Sequence, residues 1–71
     1  MVVKRRDFVE FLRSKGAAPD RIKGSHEAWK RPGCKRPGIV PFYDELSDDL
    51  VRTILSALEL KKSELRVFLG R

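Results

Sequence analysis

The sequence has one cysteine, Cys34, and one histidine, His26. A single thiol excludes an internal disulfide. One Cys and one His also cannot supply a zinc site of Cys and His ligands, which takes three or four. No metal and no cofactor is expected. The fold must be held by packing, and a free loop thiol fits a reducing, cytoplasmic setting. Long apolar runs are missing too. No segment reaches the 18 or so consecutive apolar residues of a membrane span. Met1-Val2-Val3-Lys4-Arg5-Arg6 lacks the apolar core of a signal peptide. At 71 residues the chain is read as one domain, residues 1–71. A domain of this size buries only about 60% of its unfolded surface.

Positive charge is what the chain has in excess. Sixteen Lys and Arg stand against ten Asp and Glu, a net +6. From Met1 to Arg36 there are eleven basic and four acidic residues, a net +7; from Pro37 to Arg71 there are five and six, a net −1. Such asymmetry points to a nucleic-acid face, an anionic membrane surface or an acidic protein partner.

Periodicity gives the elements. Phe8, Phe11 and Leu12 at i, i+3 and i+4 predict an amphipathic helix from Arg5 to Lys15, ended by Gly16. Lys4-Arg5-Arg6 at its start opposes the helix dipole, which hints at a second duty for those cations. Ala17 onward is read as irregular, with Pro19-Asp20 at a turn or an edge. Arg21-Ile22-Lys23 alternates like a half-buried strand, broken or bulged at Gly24. A second strand runs from His26 to Arg31. On it His26, Ala28 and Lys30 share one face, while Glu27, Trp29 and Arg31 share the other. If Trp29 anchors the core, His26 and Lys30 lie on the open face. Arg31-Pro32-Gly33 and Arg36-Pro37-Gly38 both suit type II turns, within a hairpin loop. Ile39 to Phe42 is the third strand, and Tyr43 to Leu46 a loop. Ser47 with Asp48-Asp49 caps a helix from Asp48 to Glu59, carried by Leu50, Val51, Ile54, Leu55 and Leu58. Ser63, Glu64, Leu65, Phe68 and Leu69 make a short last helix before Gly70. The class is α+β: helix-strand-strand-strand-helix, a three-stranded antiparallel sheet with helices on one face and the other face free.

The chemistry concentrates in Lys23-Gly24-Ser25-His26-Glu27-Ala28-Trp29-Lys30. With an unperturbed pKa of about 6.5, His26 is the one side chain suited to proton transfer near neutrality. Gly24 can take backbone angles closed to other residues and so aim the Ser25-His26 pair. Ser25 sets a hydroxyl beside the imidazole, and the flanking cations suit an anionic substrate.

Taken with the basic first helix ending in Gly16, the Gly24-Ser25-His26 triplet, an aromatic three residues after the His, Val40-Pro41, the Leu/Ile-rich helix and Ser63-Glu64-Leu65, the chain resembles the HicA (YcfA-like) toxins of bacterial toxin–antitoxin pairs from about Arg5 to Leu65. The resemblance implies a fold like the double-stranded RNA-binding domain, metal-independent cleavage of messenger RNA with His26 as the catalytic residue, and inhibition by a cognate HicB-like antitoxin. Many relatives carry a His two residues after the third-strand proline; Tyr43 stands there, so His26 is the sole imidazole. On this reading His26 is general acid or base, Gly24, Ser25 and Tyr43 support it, and Lys23, Lys30, Arg31, Lys35 and Arg36 hold phosphates. The rival readings are a non-catalytic RNA-binding domain and a basic protein-interaction module.

Overall fold

The computed structural model describes residues 2–70; Met1 and Arg71, which the single-domain reading includes, lie outside the described residues. The elements are β1 (Val3–Lys4), α1 (Arg5–Ser14), β2 (Ala18–Lys23), β3 (His26–Lys30), β4 (Gly38–Pro41), β5 (Glu45–Leu46), α2 (Asp48–Ala57) and α3 (Lys62–Leu69). The predicted α+β arrangement, helix-strand-strand-strand-helix, is the one observed. β2, β3 and β4 form an antiparallel sheet in sequence order.

Both main helices follow from their sequence signals. α1 buries Phe8, Phe11 and Leu12. It ends in a Schellman motif: Gly16 sits at φ +85°, its N–H donates to Arg13 O, and Ala17 N–H donates to Leu12 O. α2 starts at Ser47, whose hydroxyl accepts from Leu50 N–H. It ends the same way, with Glu59 in the left-handed position at φ +55° and Leu60 N–H donating to Leu55 O. Trp29 and Val40 project from the sheet into the core formed with Phe8, Phe11, Leu12, Ile54, Leu58 and Leu65. The opposite sheet face carries His26 and Lys30, both exposed.

Several local expectations are corrected. Ala17 onward is not irregular: Pro19 and Asp20 belong to β2, which begins at Ala18, and of the two readings, turn or edge, the edge holds, a position where proline is tolerated. The irregularity in the β2–β3 ladder falls between Pro19 and Arg21, not at Gly24. Gly24-Ser25 is instead a two-residue turn closed by the Lys23–His26 pair, with Gly24 at φ +61°, the first central position of a II′ turn. β3 stops at Lys30, and β4 spans Gly38–Pro41 rather than Ile39 to Phe42. Tyr43 to Leu46 is not all loop: Glu45–Leu46 pairs with Val3–Lys4, and Val3 and Leu46 are buried against each other's strands.

The second Arg-Pro-Gly also departs from expectation. In the first copy Cys34 N–H donates to Arg31 O and Gly33 has φ +88°, as a type II turn requires. Gly38 does not have a positive φ. It opens β4, buried, where an added Cβ would lie 2.9 Å from Ile54 Cγ2 and 3.0 Å from Leu58 Cδ1. Its role is to let α2 approach the strand.

Candidate active site

His26 is the first residue of β3, directly after the Gly24-Ser25 turn. It is paired with Lys23 on one side and Pro41 on the other. Beyond it the β3–β4 pairing is continued by Phe42 N–H donating to Ser25 O, 3.0 Å. The imidazole therefore stands on a corner held by both neighbouring strands. Ser25 Oγ lies 3.5 Å from His26 Nδ1. A hydroxyl can donate or accept, so Ser25 is able to face either Nδ1 tautomer, leaving Nε2 as the nitrogen free to meet a substrate.

Behind the corner is a charge network. Glu27 Oε1 accepts from Arg5 Nη2 and from Trp29 Nε1, each at 2.8 Å. Arg5 Nε donates to Pro41 O at 2.9 Å, and its guanidinium lies 4.4 Å from the Phe42 ring centroid. The cation at the start of α1 is thus neutralised by Glu27, and its second duty is structural: it ties the helix to the strands that carry His26. With side chains only 20% and 15% exposed, this pair is better insulated from solvent than a surface ion pair.

The structure brings part of the expected cation set together. On the open sheet face Lys23, Lys30 and Lys35 line one depression with His26, over a floor of Ala28 and Ile39. Lys30 Nζ is 3.5 Å from Asp20 Oδ2; Lys23, Lys35 and Arg36 have no ion pair among the described residues. Arg36 and Tyr43 lie on the other side of His26, in a groove between β4 and α2. Arg31 is apart from both. Its Nε donates to Lys15 O at 3.1 Å, and its Nη1 to Leu58 O at 3.0 Å and to Glu59 O at 3.4 Å. Lys15 and Leu58 end α1 and α2, so the guanidinium caps two helix C-termini where a cation is favoured by both dipoles.

Two cations not singled out from sequence also reach the site. Arg21 lines the depression of the sheet face, and Arg52 the groove. Arg21 was legible: it is two residues from Lys23, so the period-two rule puts it on the same face. Arg52 was not, since helical spacing alone does not say which strand α2 lies beside. Among the described residues no group of three His, Cys, Asp or Glu is placed to hold a metal ion, and no helix is long and apolar enough to cross a membrane.

Among known families, the model described as the HicA toxin of bacterial toxin–antitoxin matches residues 5–64 of the chain. No curated protein and no solved structure matches the chain.

Proposed function

Because the chain belongs to the HicA toxin family of bacterial toxin–antitoxin systems, we propose that it is an endoribonuclease that cuts messenger RNA in the cytoplasm without a metal, and that a cognate HicB-like antitoxin restrains it by covering His26. The observation that carries the reading is the placement of the sole imidazole, exposed at a strand corner beside a depression lined by Lys23, Lys30 and Lys35.

In the proposed reaction the substrate supplies its own nucleophile. The 2′-hydroxyl oxygen bonds to the adjacent phosphorus, its proton passes to a base, and the bond from phosphorus to the 5′-oxygen breaks as that oxygen takes a proton. The products are a 2′,3′-cyclic phosphate and a 5′-hydroxyl. His26 Nε2 accepts or donates one of these protons. Ser25 suits both assignments, because its hydroxyl can donate to a bare Nδ1 or accept from a protonated one. Lys23, Lys30, Lys35 and Arg36 hold phosphates and offset the charge that builds on the phosphorane. Arg31 contributes through the scaffold.

The test is cleavage of single-stranded RNA in EDTA. The parent chain should cut, and His26→Ala, exposed and therefore folded, should lose about 10²–10⁴-fold in rate. Undiminished cleavage by His26→Ala would sink the catalytic assignment. Loss of parent activity in EDTA with recovery in magnesium would sink the metal-free one.

A further inference from the structure

Two depressions meet at His26. The cationic one on the open sheet face is used by the proposed reaction; of the groove between β4 and α2 that reaction uses only Arg36, at its rim. Ile39, Pro41, Leu50 and Ile54 give the groove apolar walls. Tyr43 lines it too, 56% exposed, and Arg36 and Arg52 bring charge to it. Arg52 is paired with Asp48 at 2.8 Å, while Arg36 has no ion pair among the described residues. A phosphate chain needs donors and charge along its length and gains little from such walls. A nucleobase has flat apolar faces and is tethered to an anion, which matches an apolar slot with an exposed ring and a cation nearby. His26 and Ile39 line both depressions, so the slot begins where the cationic surface ends.

We infer that the β4–α2 groove is a nucleobase subsite: a base of single-stranded RNA next to the phosphate at His26 turns into the groove and stacks on Tyr43, while the backbone continues over the sheet face. This rests on the RNA-cleaving reading above. Stacking on an aromatic ring tolerates any base. The subsite therefore asks for an unpaired base rather than a particular one, and a duplex, whose bases already stack on each other, is shut out of it. Tyr43 acts through its ring and not its hydroxyl.

The test is fluorescence-anisotropy binding of a labelled oligouridine decamer to the His26→Ala chain, alone and combined with Tyr43→Phe or Tyr43→Ala. A decamer of abasic ribose phosphates is the control. Tyr43→Ala should weaken oligouridine binding about tenfold, as loss of one stacked base does. Tyr43→Phe should bind like its parent, the abasic decamer should not distinguish the three chains, and the salt dependence should be the same in all. A Tyr43→Ala chain that binds oligouridine undiminished, or that loses equal affinity for the abasic decamer, overturns the subsite and leaves the nuclease standing. So does one that keeps RNA affinity but no longer holds the antitoxin, which would make the groove a protein-binding face. A His26→Ala chain with no affinity for oligouridine overturns both.

Discussion

Arg31-Pro32-Gly33 and Arg36-Pro37-Gly38 bracket the loop between β3 and β4 with the same three residues. In the first copy the glycine is used for its backbone freedom: Gly33 sits at φ +88° with open space around its Cα. In the second it is used for its missing side chain: Gly38 has an ordinary strand φ, and Ile54 and Leu58 fill the place a Cβ would take. The arginines divide likewise. Arg31 binds three main-chain carbonyls at the ends of α1 and α2, whereas Arg36 lines the groove beside His26. A tripeptide thus supplies capacities, and the elements packed around it select which one is used.

The contrast can be broken most sharply at the glycines. Gly38→Ala forces a Cβ into a filled site and should cost about 1–3 kcal/mol, as overpacking does. Gly33→Ala costs about 1–2 kcal/mol from its left-handed backbone alone. Urea unfolding separates the two causes: the Gly38→Ala penalty should shrink in an Ile54→Ala background, because the pair touches, and the Gly33→Ala penalty should not. Equal additivity at both positions would mean that α2 does not need the close approach.

The arginines come next. Arg31→Ala leaves helix-end carbonyls without their donor and should destabilise by about 2 kcal/mol, while the salt dependence of RNA binding stays as in the parent. Arg36→Ala should fall within about 0.5 kcal/mol of parent stability but lower the log–log salt slope by about 0.7, the share of one phosphate contact to a single strand. Interchanged results would place Arg31 on the RNA and Arg36 in the scaffold.

The smallest effect is electrostatic. The Glu64 carboxyl is held below its usual value chiefly by the hydrogen bond from Lys61 N–H, then by Lys15, with Arg31 adding a weaker attraction. Asp48 is lowered chiefly by its hydrogen bond from Lys62. A lowered carboxylate contributes stability that is present above its unfolded pKa, about 4, and is lost as pH falls through the folded value. α3, tied by both groups, should therefore loosen on acidification. In Arg31→Ala, NMR titration should find Glu64 shifted upward, and in Arg36→Ala unchanged. A Glu64 titration identical in Arg31→Ala and the parent would remove Arg31 from that network.

Much of this was readable in the sequence, where the signal was local. Phe8, Phe11 and Leu12, the Ser47 cap, and the alternation that puts Trp29 inside and His26 outside each depend on residues within a turn or a strand of one another. What the sequence hid depends on distant partners. Nothing near Gly38 announces Ile54 and Leu58. Nothing near Val3 announces Leu46, its partner in the small β1–β5 ribbon. Arg31 reads as a loop cation until the ends of α1 and α2 are brought to it. For the candidate site, parity put His26 and Lys30 on the open face, but Lys23, across a turn, and Lys35, in a loop, are brought to it only by the fold, and the groove that Tyr43 lines exists only because α2 lies along β4.

The outer edge of β2 has a consequence for self-association. A free sheet edge is ordinarily a template for another chain's strand, the usual starting point of aggregation. Here the edge strand carries Pro19, which has no N–H to offer, a ladder irregularity between Pro19 and Arg21, and the charges of Asp20, Arg21 and Lys23. A strand from a second copy would meet a missing donor, a break in register and charged side chains that must stay solvated. This edge resists adding strands, so the molecule can leave the other face of its sheet uncovered without polymerising through β2.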